Sequence, residues 1–228
     1  MKQLLGIFFL FPFMIWSQSD FDNGAKLFEA GKMAQAKSVF ETILAENPSH
    51  LKAIEYLGDI SGKEKSWDKA IGYYQKLKQL KPSEANYYYK YGGALGMKAM
   101  EVNRFRALGM IGDVRESFEK AIVLNPKHIE ARWALVLLYL KLPGVIGGSE
   151  SKALRYSNEL FKLSPVDGFL SKGQIEEHYK RYSAAEQQYK KAIAAGSIHK
   201  GSQMLADLYR NKMNKPEKAK TILQNIKS

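Results

Sequence analysis

The chain has 228 residues, of which 45% are hydrophobic, 25% charged and 12% aromatic, and it contains no cysteine. Those proportions describe a folded protein of one or two domains and exclude disorder, disulfides, thiol catalysis and sulfur-ligated metal sites. The formal charge of +12 is uneven, with twelve Lys and Arg against five Asp and Glu between residues 172 and 228, a field that favours anionic partners.

The N-terminal stretch "MKQLLGIFFLFPFMIWSQSD" carries one lysine, then 13 apolar residues from Leu4 to Trp16, then small polar residues. That is the layout of a secretory signal peptide over residues 1–17, with cleavage after Ser17 or, alternatively, after Ser19. The run is shorter than the roughly 18 residues that span a bilayer, and Pro12 interrupts it. An uncleaved anchor is the competing reading. No cysteine lies near the cut to accept a lipid. The expectation is an exported bacterial protein of the periplasm or cell envelope, whose mature form, residues 18–228, does not span the membrane. An exported chain without a recognisable nucleic-acid motif is not expected to bind nucleic acid.

From there a periodic pattern takes over. Prolines recur in "ENPSH", "LKPSE", "LNPKH" and "LSPVD", at Pro48, Pro82, Pro126 and Pro165, spaced 34, 44 and 39 residues apart. Upstream of each lies a small residue followed four positions later by a large one: Ala36 and Phe40, Ala70 and Tyr74, Val114 and Phe118. Ala153 with Ser157 breaks the rule at its second member, and Ala185 with Tyr189 and Ala219 with Leu223 resume it. Ten residues after the prolines stand Gly58, Gly92 and, less small, Val136. A four-residue interval places both side chains on one helix face. There the small residue lets a second helix approach, and the aromatic fills the space beside it. Proline ends one helix and starts the entry to the next.

This pattern resembles the tetratricopeptide repeat, whose signature couples an L-G-x2-Y helix to an A-x3-F helix ending in proline. "YLGDISGKEKSWDKAIGYYQKLKQLKP" fits it through Leu57, Gly58, Ala70, Tyr74 and Pro82. The resemblance extends over residues 20–228 and implies an all-α, right-handed α-solenoid of about six helix-turn-helix units. Ser157, Ser197 in place of a fifth proline, and a linker two residues short after Pro165 depart from the pattern.

Two insertions stand out. The 44-residue unit carries ten extra residues within "GALGMKAMEVNRFRALGMIGDVRESFEKAI". The apolar spacing predicts a lengthened first helix, broken at Gly109 and Gly112, with Asp113 and Glu116 starting the second. Met97, Met100 and Phe105 on its projecting end are expected to pack under cover. The 39-residue unit carries "GVIGG" between Tyr139 and Ala153. This loop follows no strand and lacks the G-x-x-x-x-G-K-[ST] order of a phosphate loop. "SESK" at Ser149–Lys152 matches S-x-x-K but has no S-D-N or K-T-G companion. The expectation is a corner, with Ser149 as N-cap of the following helix. A bacterial tetratricopeptide-like family combining a long helix with such a loop is also similar, and implies no activity.

No catalytic set, metal site or cofactor is expected. His50 and His128 occupy equivalent turn positions about one repeat apart, too distant to share a metal, and are expected at the surface. In "YYYKYGG", Tyr88 and Tyr91 take the packing positions, leaving Tyr87 and Tyr89 outward. By repeat register, the resemblance places Glu55, Asp59, Tyr89, Lys90, Trp133, Leu137, Gln174, His178, Gln203 and Asp207 on a concave face of first helices. Tyr89 and Trp133 are the aromatic candidates for gripping a protein or peptide. The alternative partner is an anionic envelope polymer, peptidoglycan or lipopolysaccharide, held by the basic C-terminal units. Relatives that grip a peptide carboxylate use groove lysines and asparagines; Glu55, Asp59 and Gly93 stand there instead, so that clamp is not implied.

Overall fold

In a computed structural model, which describes residues 12–224 and their side chains from residue 19, every regular element is helical. Residues 1–11, the greater part of the expected signal segment, lie outside the described residues. No described helix is long and apolar enough to cross a membrane. The helices are α1 (Pro12–Glu29), α2 (Met33–Glu46), α3 (Leu51–Lys63), α4 (Trp67–Leu80), α5 (Ala85–Glu101) and α6 (Arg104–Leu124). They continue as α7 (Ile129–Lys141), α8 (Glu150–Leu163), α9 (Pro165–His178), α10 (Tyr182–Ala194), α11 (Ile198–Asn211) and α12 (Pro216–Gln224). Among the described residues they number twelve, as about six helix-turn-helix units require. The chain divides into two compact units, one ending at Ser117 and the other starting at Phe118.

In the first unit each helix packs on the next along α1 to α5. Every small-and-large pair expected at a seam is buried there: Ala36 with Phe40 and Ala70 with Tyr74. The reason is visible at Gly58. A methyl group on its Cα would lie 2.5 Å from Cε1 of Tyr74, so only glycine admits the ring. Gly24 stands in the same relation to Phe40, at 2.9 Å. Burying each such ring contributes about 2 kcal/mol or more.

The second unit repeats the scheme. Gly173 faces Tyr189, with 2.3 Å between the missing methyl position and Cε1. Ala185, Tyr189, Ala192, Leu205, Leu208 and Ala219 form one buried cluster. Within pairs the turn passes through a left-handed residue: Gly31 and Lys65 in the first unit, Lys180 and Asn214 in the second. Each member of those two couples lies 34 residues from the other, so the turn geometry keeps the repeat even where its residue type drifts.

The corner between α8 and α9 is the tightest. The short linker leaves Ser164 alone between them, closing α8 and capping α9, with Pro165 as the first residue of α9. A methyl group on Gly168 would sit 2.5 Å from Cα of Phe161. Backbones this close leave no room for an aromatic at position 157. Ser157 instead donates or accepts a 2.8 Å hydrogen bond with Ser171, both fully buried. The rings at this corner pair elsewhere, Phe161 edge-on to Phe169 and Tyr156 stacked on Tyr139.

The long insertion corrects an expectation. The break falls at Val102–Asn103, and the extra length goes mainly to the second helix, α6, which runs unbroken through Gly109 and Gly112. Asn103 starts it, its Oδ1 accepting from the Arg106 N–H at 3.1 Å. A side-chain cap outcompetes the D-x-x-E signal ten residues later, because helix interiors tolerate isolated glycines at about 1 kcal/mol each. Met97, Met100 and Phe105 do not find cover; Phe105 is 89% exposed.

Candidate functional site

The loop with three glycines turns a corner, as its flanks imply. Gly144–Ile146 make one tight turn, Gly147 adopts φ +107°, and Ser149 caps α8 by accepting from the Lys152 N–H at 3.3 Å. Gly148 is forced: a methyl group there would lie 1.9 Å from the carbonyl oxygen of Leu142. The Lys152 amine rests 5.4 Å from the centroid of the Tyr139 ring.

The two turn histidines do share a role. His50 Nδ1 accepts from the Ala53 N–H at 3.1 Å and His128 Nδ1 from the Ala131 N–H at 3.3 Å, capping α3 and α7. His128, however, is buried rather than at the surface. Burial pushes its pKa below the ordinary imidazole value, against the pull of Glu130. Beside it the buried Arg132 guanidinium donates to Glu159 at 2.9 Å and to the His128 carbonyl at 3.0 Å.

In the first unit the structure brings Glu55, Asp59 and Lys90 together. The Lys90 ammonium lies 2.8 Å from Glu55 and 2.7 Å from Asp59. Tyr74 donates its hydroxyl to Asp59 at 2.7 Å, and Asn86 donates to Glu55 at 3.4 Å. Burial alone would lower the Lys90 pKa, but the hydrogen bonds and charges of both carboxylates raise it above the ordinary lysine value. Tyr74 is pushed well up by burial and by Asp59. The cluster ties α3 to α5 and carries one more carboxylate than ammonium.

Tyr87 corrects its expected outward position. It is buried with Ile54, Ala70, Tyr74 and Leu77, while Tyr89 is half-buried. Tyr88 and Tyr91 hold the Lys78 ammonium, which lies 4.9 and 3.6 Å from their ring centroids. Partial burial lowers the pKa of that lysine.

In the second unit Trp133 is the centre. Its Nε1 donates to Asp167 at 2.7 Å, and the Lys200 ammonium sits 4.8 Å from its ring, so α7, α9 and α11 meet at one indole. Leu137 is exposed one turn further along α7. On α9, Asp167, Gln174 and His178 lie at helical spacing on one face. Gln174 buries its Oε1 with no hydrogen-bond partner, and His178 is exposed, edge-on to Tyr179. On α11, Gln203 donates to Asp207 at 3.1 Å. Asp167 and Lys200, which fix the indole, escaped the sequence reading. Only the 34-residue interval from Trp133 to Asp167 hinted at the first.

Among the described residues no three His, Asp or Glu side chains converge as a metal site requires. Among the described residues, successive helices with small residues against rings at their seams define the class of helix-pair repeat proteins. The tetratricopeptide repeat family model matches residues 21–85, and the described residues have the fold of tetratricopeptide-repeat proteins.

A thermophilic TPR protein from Thermus thermophilus superposes with TM-score 0.65 at 18% identity, over 91% of this chain and 99% of its own. PilW, a widely conserved type IV pilus biogenesis factor, gives 0.66 at 16%, over 92% and 91%. YrrB, a TPR protein with an unusual peptide-binding site, gives 0.54 at 16%, over 80% and 87%. No curated protein matches this sequence.

Proposed function

We propose that this chain is a non-enzymatic interaction scaffold, exported to the periplasm or cell envelope, that binds a peptide or protein segment along α7, α9 and α11. The observation that carries this reading is the fixed indole of Trp133. Two charged side chains from two other helices hold it, and it remains half-exposed with Leu137 beside it. A pre-positioned aromatic loses little conformational freedom on binding, which is why such residues dominate interface energies. A peptide-binding site in YrrB supports the reading by fold analogy alone. In the first unit, Glu55, Asp59 and Lys90 satisfy one another, so the second unit is the better candidate.

A displayed random-peptide library panned against the full chain tests this. Selected peptides should lose at least about thirtyfold in affinity against Trp133→Ala, the effect of removing a central aromatic anchor. Equal affinity for both proteins would sink the assignment.

The exposed Lys212, Lys218 and Lys220 favour a second reading, an anionic envelope polymer. That binding would ignore Trp133 and fade as salt passes roughly 0.15 M.

A further inference from the structure

The junction of α5 and α6 leaves apolar side chains uncovered. Met97, Met100, Phe105 and Leu108 are 39%, 57%, 89% and 44% exposed. Phe105 and Leu108 lie three apart on α6 and therefore on one side of it. Arg104 and Arg106 flank the phenyl ring, both exposed and outside any ion pair among the described residues. The neighbouring charges are Lys98, paired with Asp68, and the exposed Glu101.

This arrangement is unfavourable for the isolated fold. The start of a helix already carries positive partial charge, and acidic residues normally offset it. The first turn of α6 has none and holds two arginines instead. An exposed phenyl ring adds a further cost in water. The Asn103 cap satisfies one backbone N–H of that turn, but among the described residues no carboxylate pairs with either arginine and nothing covers the ring.

The missing compensation is an apolar layer bearing negative charge. A ring that stands 89% exposed has no walls around it to form a cleft for a peptide side chain. A lipid surface needs no cleft. It admits apolar side chains to the depth of the headgroups, while arginines meet the phosphates. The net charge of +12 acts in the same direction. We propose that the α5–α6 junction is a peripheral contact for an anionic lipid surface, with Phe105, Leu108 and Met100 entering the interface and Arg104 and Arg106 meeting lipid phosphates. This contact is independent of the peptide row in the second unit.

The absence of cysteine makes a local test available that the apolar N-terminal run cannot confuse. An environment-sensitive fluorophore is attached to the full chain through Leu108→Cys and, as a control, through Thr42→Cys on the exposed side of α2. Mixed phosphatidylcholine–phosphatidylglycerol vesicles should blue-shift the label at 108 and leave the label at 42 unchanged. Pure phosphatidylcholine should give little shift. Adding Arg104→Gln and Arg106→Gln should raise the lipid concentration for a half-maximal shift about thirtyfold, since each arginine near such a surface is worth about a fivefold change. These positions are exposed, so the melting temperature serves as the folding control. No shift at 108, an equal shift at 42, or a response that follows Lys212, Lys218 and Lys220 instead of the arginines would overturn the proposal.

Discussion

The corner at Pro82 and the corner at Pro165 join successive helix pairs with different amounts of chain. At Pro82 four residues separate α4 from α5, the proline stays outside both helices, and Tyr74 fills the seam above. At Pro165 one residue separates α8 from α9, the proline enters the helix, and a serine pair replaces the ring. Shortening the link brings the backbones together, and closer backbones exclude the aromatic. The missing ring at 157 and the short linker are therefore one feature. A repeat tolerates drift when two departures cancel sterically.

Substitutions at the glycines sharpen this contrast, the largest effect first. Gly168→Ala should cost about 3 kcal/mol or more, because its methyl group meets the backbone of Phe161 and a helix must move. Gly58→Ala meets a ring edge, which can shift, and should cost about 1–2 kcal/mol after the intrinsic helix gain of alanine. The same change at Gly72, with open space around it, should stabilise by about 0.5–1 kcal/mol. Urea melts of the three variants rank them. Equal costs at 168 and 58 would mean that the ring of Tyr74 yields no more easily than the backbone of Phe161.

A subtler test compares the histidine-capped corners. His128→Ala should cost about 1 kcal/mol, the worth of an N-cap. The folded imidazole resists protonation, so below the unfolded value of about 6.5 the unfolded chain binds the proton first. Stability from this cap is therefore complete above that pH and is lost on acidification. His128→Asn, a cap that does not titrate, should flatten the dependence of melting temperature between pH 7 and pH 5. An unchanged slope would show that another group carries it.

The pairing of helices was legible in the sequence because most seams leave a local signature: a small residue, a large one four positions on, and in four units a proline. The Gly-rich corner was legible for the same reason, since Pro143, the glycines and Ser149 each act on their own backbone. What the sequence concealed depends on neighbours remote in the chain. Tyr87 is buried because α3 and α4 cover it, which no count along α5 reveals. Gly173 escaped notice because the short linker displaced it from its usual distance after proline. At the candidate site, Trp133 was visible by register, but Asp167 and Lys200, which aim its indole, sit on two other helices. The α6 start was misplaced because Asn103 and Asp113 both look like caps, and the contest was settled by chain continuity through two permissive glycines.

Ser164 carries a last implication. Its N–H bonds back to Leu160 at 2.7 Å, its side chain accepts from Asp167 at 3.3 Å, and its carbonyl accepts from Gly168 at 3.0 Å. One residue thus terminates α8 and initiates α9, so neither can fray without undoing the other. Amide hydrogens across the two should exchange with solvent as a single cooperative block.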